Sequence, residues 1–402
     1  VSGELSFLQE RLQAWNARQA SWGGPLYRGR PTPRNTDLTL MSNDYLAIGG
    51  HPAVLDAQVR SLRAQGNGAL MSGVFTGDSD PLRRLEADLA HWLGAPSVML
   101  SQSGWSANVG LIQAVCPAGG SVYVDELAHA SLWEGISAAH AVARPFAHND
   151  TEHLERTIRQ HGPGLIAFDT LYSVTGDLCP LPDLTAVARR TGCDLIADES
   201  HTLGVLGPQG GGLVPSLGLT DAVAYRTASL AKAFAGRAGL IACSPEVAGY
   251  LPYHSLGAVF SSTLLPHDVA GLSAALGVLR TADDRRERLE QHSRHLRDGL
   301  TALGYHIAPS ESQIIPLQPG TEPGVRRLQQ ALDARGVFGA AFVPPSVPVR
   351  RCVHRLSVHS ELAPADLDRV LDACAAVRDE VGLREWRSTR RLPTRRTAAV
   401  HH

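Results

Sequence analysis

The chemistry of this chain starts from a single side-chain amine. Of its 37 lysine and arginine residues, 36 are arginine and one, Lys232, is lysine. A guanidinium stays protonated and forms no imine at neutral pH, whereas a lysine amine can lose its proton, attack a carbonyl and later act as a base. Arginine-rich coding alone could leave one stray surface lysine. The surroundings argue for a site: Ser229-Leu230-Ala231-Lys232-Ala233-Phe234-Ala235-Gly236 is small and apolar and lies between expected strands at 222–226 and 239–243. Lys232 is therefore a candidate Schiff-base residue.

Three more stretches carry reactive side chains at expected strand ends. Ser101-Gln102-Ser103-Gly104-Trp105-Ser106-Ala107-Asn108 runs from a strand through a small-residue turn into a helix. The first amides of such a helix can bind phosphate, although the same pattern also serves as a plain tight connection. Asp125-Glu126-Leu127-Ala128-His129-Ala130-Ser131 sets an imidazole just past a strand end, where it could stack on a planar cofactor or cap a helix. Asp198-Glu199-Ser200-His201 closes the apolar run Leu195-Ile196-Ala197. A buried aspartate there needs a cationic or hydrogen-bonding partner to offset its desolvation. A protonated pyridine nitrogen is such a partner, and His201 could reach the same ring from another edge. Metal binding is the rival reading of that tetrapeptide, but no second ligand cluster supports it, so no metal is assigned. Taken together, amine, carboxylate, imidazole and phosphate turn fit pyridoxal phosphate. Lysine would hold the aldehyde, aspartate keep the ring nitrogen protonated, and the glycine turn take the phosphate.

The elements that must position these groups follow from the hydrophobic pattern. At 402 residues the chain suits a large and a small domain. Short apolar strands at 97–101, 121–125, 141–146, 165–169, 193–198, 222–226 and 239–243 alternate with helix-length segments. That alternation predicts an α/β fold, a mostly parallel seven-stranded sheet between helices, with ligands at the carboxyl ends of the strands. Before it come an amphipathic helix at 5–19 (Leu5, Leu8, Leu12, Trp15), a short strand entering a polar turn within 38–46, and helices at 53–65 and 81–93. A long helical stretch at 266–303 leaves the large domain. Strands at 313–317, 336–342 and 353–358 with helices at 324–335 and 364–380 then form a small α+β domain. The expected division is an arm at 1–50, the large domain at 51–280, the small one at 281–382 and an arginine-rich tail at 383–402 anchored by Trp386 and Leu392.

Composition narrows the partners. With 44% hydrophobic and 19% charged residues and a net charge of −2, the chain reads as globular, with no global field favouring nucleic acid or a membrane surface. No apolar run is long enough to cross a bilayer. Six scattered cysteines without CxxC spacing read as reduced thiols in a cytoplasmic protein.

From Asn43 onward the chain resembles the α-oxoamine synthase family of fold-type I pyridoxal-phosphate enzymes. The resemblance is carried by Asn43-Asp44-Tyr45-Leu46, Ser103-Gly104-Trp105-Ser106-Ala107-Asn108, Asp125-Glu126-Leu127-Ala128-His129, Tyr172-Ser173-Val174-Thr175-Gly176-Asp177, Asp198-Glu199-Ser200-His201, Ser229-Leu230-Ala231-Lys232 and Arg355-Leu356-Ser357. It implies that Lys232 binds the cofactor aldehyde, Asp198 the pyridine nitrogen and His129 the ring face, with His201 and Ser173 at the phenolic oxygen. Ser103, Gly104, Trp105 and Ser229 would hold the phosphate, with Ser262 reaching in from the second subunit of a homodimer. Asn43 and Arg355 would grip an amino-acid carboxylate, with Arg351 next in line for that role. The implied reaction is decarboxylative condensation of an amino acid with an acyl thioester, on coenzyme A or an acyl carrier protein, to an α-aminoketone.

Two departures bear on substrate. Ser200 stands where the family commonly has alanine, and Gly66-Asn67-Gly68-Ala69-Leu70-Met71-Ser72-Gly73-Val74-Phe75 replaces a shorter turn with polar groups. The loss of those polar groups favours an apolar acyl donor, and the stretches 198–204, 207–214 and 229–239 most resemble the branch that makes α-aminoketone or α-hydroxyketone quorum-sensing autoinducers. The alternatives are the biotin-pathway 8-amino-7-oxononanoate synthase, a fold-type I aminotransferase and a non-enzymatic pyridoxal-phosphate-binding regulator.

Overall fold

The computed structural model describes residues 7–388 apart from Pro25, Arg28 and Ala308. Contacts divide the chain into two units, one comprising Asn43–Glu290 with His359–Glu361, the other the remaining segments. The chain enters through helix α1 (Phe7–Ser21) and the two-residue strand β1 (Leu38–Thr39), both part of the second unit.

In the first unit, helix signals in the sequence are used as written. Helix α2 (Pro52–Gln65) starts on Pro52 and stops at Gly66, whose φ of 58° suits glycine. In α3 (Pro81–Leu93), Asp80 accepts from the Leu82 amide at one end and Gly94 takes the left-handed turn at the other. Strands β2 (Ser97–Ser101), β3 (Ser121–Asp125), β4 (Val142–Phe146), β5 (Leu165–Asp169) and β6 (Asp194–Asp198) alternate with helices α4 (Gly104–Val115), α5 (Ala130–Ala138), α6 (Thr151–His161) and α7 (Leu181–Thr191). After the short α8 (Leu213–Ser216) come β7 (Tyr225–Ser229) and β8 (Gly239–Cys243). The seven strands lie in the order β2-β8-β7-β6-β5-β3-β4. All pairs are parallel except those of β8, which runs antiparallel to both neighbours.

The central strand β5 is buried along its whole length and β6 is buried after its first residue, and successive residues of both enter opposite cores. Ile166, Phe168, Leu195 and Ala197 pack into one cluster, while Leu165, Ala167 and Ile196 join Leu111, Ile112 and Val122 in the other. The expected strand at 222–226 lies at 225–229 instead. Arg226, which looks like a strand end, is buried mid-strand against Glu199. Helices α9 (Pro245–His254) and α10 (Leu256–Val259) follow. The expected helix at 266–303 is two, α11 (Pro266–Arg280) and α12 (Asp283–Ala302), because Asp283 and Asp284 open a new first turn.

The division between units falls within α12. Beyond it are β9 (Ile314–Gly320), α13 (Glu322–Asp333), β10 (Val337–Phe338), β11 (Ala340–Phe342), β12 (Cys352–Ser357) and α14 (Pro364–Val377). Strands β11, β12 and β9 form an antiparallel sheet, and β10 pairs in parallel with β1. That pairing puts the first 42 residues with the C-terminal elements, whereas the sequence reading treated 1–50 as a separate arm. The short strand expected from Leu38 covers Leu38–Thr39, and the polar turn expected after it is made by Asp44, whose carboxylate accepts from the Ile48 and Gly49 amides. Helix α1 forms, but its expected apolar face stands exposed at Leu8, Leu12 and Trp15; Leu5 lies outside the described residues. Leu383 and Trp386, assigned by sequence to the tail, are buried, with the Trp386 ring edge-on to Tyr305 at 5.8 Å. Leu392 and the rest of 389–402 lie outside the described residues. All six cysteines are buried and unbonded. No helix among the described residues is long and apolar enough to cross a membrane.

Candidate active site

A cleft of about 400 Å³ opens at the carboxyl ends of the central strands. Seven of the expected residues line it: Gly104, Trp105, His129, Asp198, His201, Ser229 and Lys232. They come from the ends of four elements or the turns just beyond them. Asp198 ends β6, Ser229 ends β7, Gly104 opens α4 and His129 caps α5.

Lys232 sits half-buried in a tight turn closed by the Ala235 amide donating to its carbonyl at 2.8 Å. Its charge is felt by both His129 and Asp169. Asp198 is 5% exposed. Its Oδ1 accepts from the Ser200 amide at 2.9 Å and its Oδ2 from Asn108 Nδ2 at 2.7 Å. Asp169 lies beside it in register at the end of β5. Burial first, then the Asp198 carboxylate, push the Asp169 carboxyl well above the usual range. Two carboxyl groups thus share the floor of the cleft.

Burial lowers the His129 pKa, with Asp198 opposing and Lys232 adding to the effect, so the imidazole is neutral. On the far side, Tyr45 is fully buried with its hydroxyl 2.6 Å from His201 Nδ1 and 3.3 Å from Asn43 Oδ1. Asn43 reaches the site through this contact and is not itself among the lining residues.

The opening turn of α4 forms the other end of the cleft. Ser103 caps the helix, its Oγ accepting from the Ser106 amide at 3.1 Å, which leaves the earlier amides directed outward. Gly104 is required there, since a Cβ would stand 2.6 Å from Ser229 Cβ and 2.9 Å from Ser229 Cα. Helix terminus and strand end therefore meet directly, an anion site with a hydroxyl beside it.

The remaining expected residues lie elsewhere. Ser173 is in the turn after β5. Asp177, at the far end of that turn, accepts from His148 Nε2 at 2.6 Å, while Asp125 takes the other ring nitrogen at 2.9 Å. Ser262 is exposed, its carbonyl accepting from Gln102 Nε2 at 2.8 Å and its backbone bridging Ser72. Arg355 is buried in β12, its guanidinium 4.8 Å from the centre of the Phe342 ring, and Arg351 is exposed just before that strand. Both arginines belong to the other unit.

Sequence reasoning missed Asn108, Ser131, Thr227 and Tyr45 as site groups. Asn108 carried a signal: it is a polar residue one turn from Gly104, on the α4 face that also buries Ala107 and Leu111.

An amine, a buried carboxylate, a neutral imidazole and a helix-terminus anion site in one cleft are a donor set that fits pyridoxal phosphate. The family described as aminotransferase class I and II matches residues 35–374. The CAI-1 autoinducer synthase of Vibrio campbellii is 41% identical over 374 residues, covering 93% of this chain and 94% of the relative.

The chain belongs to this family.

Within it the chain is one of the α-oxoamine synthases, pyridoxal-phosphate-dependent C-acyltransferases. The 8-amino-7-oxononanoate synthase of Sodalis glossinidius is 35% identical over 368 residues, covering 91% of this chain and 94% of that one. The serine palmitoyltransferase of Sphingomonas wittichii shares the fold at a TM-score of 0.87 and 24% identity, over 95% of this chain and 100% of that one. The fold-type I architecture expected from the sequence is the one found.

Proposed function

We propose that this α-oxoamine synthase joins an amino acid to an apolar acyl thioester with loss of carbon dioxide, giving an α-aminoketone of the signal or secondary-metabolite kind. The observation that carries the reading is the single lysine sharing one cleft with Asp198 and His129. When bound, pyridoxal phosphate supplies an electron sink for a carbanion at the amino acid's α-carbon. Lys232 Nζ would hold the aldehyde and serve as the base for the α-proton. The Asp198 carboxylate would pair with the ring nitrogen, His129 would stack on the ring, and His201, whose Nδ1 meets the Tyr45 hydroxyl, would approach the phenolic oxygen together with Ser173. Gly104, Trp105 and Ser229 would bind the phosphate, with Ser103 capping the helix end. The family resemblance assigns the substrate carboxylate to Asn43 and Arg355.

The apolar donor is supported by Leu70 and Phe75, large side chains held at the surface of the lengthened 66–75 loop, 73% and 72% exposed. A homodimer completing the cleft with Ser262 is supported by exposed Tyr253 and Phe260, apolar area that a second copy would cover. Coenzyme A and an acyl carrier protein are both open as thioester carriers. A cytoplasmic location agrees with six free thiols.

The test is product analysis by mass spectrometry with plain and ω-carboxylated acyl thioesters. Turnover of plain fatty acyl donors with carbon dioxide release is the expected result. Preference for the carboxylated donor would transfer the reading to 8-amino-7-oxononanoate synthesis, and amino transfer without carbon dioxide would make it an aminotransferase. Lys232→Ala and Lys232→Arg should both lose turnover and the cofactor's lysine-linked absorbance; turnover surviving in either defeats the assignment.

A further inference from the structure

Asn108 is fully buried in α4, and both amide hydrogens and the carbonyl oxygen have partners. Nδ2 lies 2.7 Å from Asp198 Oδ2 and 2.8 Å from Ser131 Oγ, and Oδ1 lies 2.6 Å from Thr227 Oγ1. A carboxylate can only accept, so the amide nitrogen must face Asp198, which turns Oδ1 toward Thr227 and makes that hydroxyl the donor. The second amide hydrogen then goes to Ser131 Oγ. The Ser131 backbone N–H points at His129 Nδ1 at 3.3 Å, so that nitrogen is an acceptor. The Ser131 hydroxyl, 2.7 Å from the same nitrogen, is then its second donor, with a lone pair turned to the Asn108 amide. Two donors converging on Nδ1 leave it bare and put the ring proton on Nε2.

We infer that Asn108 is a positioning residue: anchored on Asp198, it holds the Ser131 hydroxyl as a donor to His129 Nδ1 and so reinforces the Nε2–H tautomer. Asn108, Ser131 and Thr227 form a one-directional relay whose orientation is set at the carboxylate and read out at the imidazole. This inference rests on the proposed roles of Asp198 and His129 but concerns how they are coupled. Of the other groups around His129, the Ser131 backbone N–H acts on the same nitrogen and stays in place in every variant below. The Asp169 carboxyl oxygen accepts from the His129 backbone N–H, the Trp105 ring stands edge-on at 6.2 Å, and Lys232 acts through its charge.

The relay predicts what its removal does. Without the amide donor the Ser131 hydroxyl is no longer oriented; without that hydroxyl Nδ1 is freer to accept a proton. In Asn108→Leu and in Ser131→Ala, the His129 titration midpoint should therefore rise, by about tenfold in proton affinity for one lost donor. The double variant should shift it no further than Ser131→Ala alone, and Ser131→Thr, which restores a hydroxyl, should return it. Asn108→Leu also strips a charge-assisted bond from Asp198, and the cofactor dissociation constant should rise roughly 10- to 100-fold.

The experiment is a ¹⁵N NMR titration of histidine-labelled, cofactor-loaded protein, with the His129 signal assigned by its loss in His129→Gln. Equilibrium dialysis of the cofactor accompanies it. The expected wild-type signal is a neutral ring protonated at Nε2. An Nδ1–H tautomer in the wild type, or an unchanged midpoint in both single variants, overturns the relay. Should Asn108→Leu fail to fold, Ser131→Ala decides alone, since it removes only one hydroxyl. The readout is separate from turnover, so a failed relay leaves the Lys232 assignment standing and a failed Lys232 assignment does not alter the titration.

Discussion

Arg226→Met gives the sharpest test of how the site floor is held. The guanidinium and Glu199 are 3% and 1% exposed, and both Nε and Nη2 reach Glu199 Oε2, at 2.6 and 2.5 Å. Arg226 also donates to the carbonyls of Leu93 and Gly211, while Glu199 Oε1 accepts from the Val214 amide at 2.9 Å. Removing the arginine leaves the buried carboxylate with the Val214 amide and a 3.5 Å contact to the Thr202 hydroxyl, both on Oε1, and takes a donor from two carbonyls. Breaking one side of such a pair costs about 3–5 kcal/mol. In a domain of this size that lowers Tm by roughly 10 °C. Arg226→Met combined with Glu199→Gln removes the uncompensated charge and keeps an acceptor for Val214, so the double variant should recover to within about 1–2 kcal/mol of wild type. The assay is denaturant and thermal unfolding of cofactor-loaded protein at pH 7 for all four corners of the cycle. A single variant within about 1 kcal/mol of wild type, or additive losses, would refute the reasoning.

Two histidines should give stability opposite dependences on pH. Burial alone would lower the His148 pKa, but hydrogen bonds from Asp125 and Asp177 outweigh it and push it up to about 9. The folded pKa exceeds the unfolded one, so this contribution is complete below about pH 6.5 and is lost as pH rises through 9; its size is about 3 kcal/mol. Urea unfolding at pH 6 and pH 10 should show that loss, and His148→Gln should flatten it. Burial, with Arg30 adding to it, instead pushes His354 down to about 3. Neither of its ring nitrogens has a hydrogen-bond partner among the described residues. Stability is then complete above pH 6.5 and falls as the pH drops toward 3, by about 4–5 kcal/mol. His354→Leu should remove that acid slope and cost little at pH 7; an unchanged slope in acid unfolding would count against it.

Much of the site was legible because its residues end apolar strands, where a charged or imidazole side chain has no reason to be unless something meets it. Asp198 after Leu195-Ile196-Ala197 and Lys232 among alanines are such cases, and the cleft contains both. Legibility failed where charge is paid for inside the fold. Arg226 reads as solvent-facing, so β7 was ended three residues early, and its true end, Ser229, fell in what looked like a loop. Tyr45 follows the polar Ser42-Asn43-Asp44, and nothing in that stretch hints that a histidine 156 residues away shares its hydroxyl. Ser131 and Thr227 are small polar residues within or at the start of regular elements, and only tertiary structure shows which of them face one another. Ser200, noted as a departure, accepts from the Ser229 amide at 2.8 Å and so ties the ends of β6 and β7.

Helix α4 supplies both the amides beside Ser229 and the amide beside Asp198, from Gly104 and Asn108, four residues apart. At 1.5 Å per residue those two anchor points are spaced by about 6 Å along one rigid rod. A single residue inserted between them would swing the second anchor by about 100° around the axis. Length changes should thus be tolerated in the surrounding loops but not in this one turn.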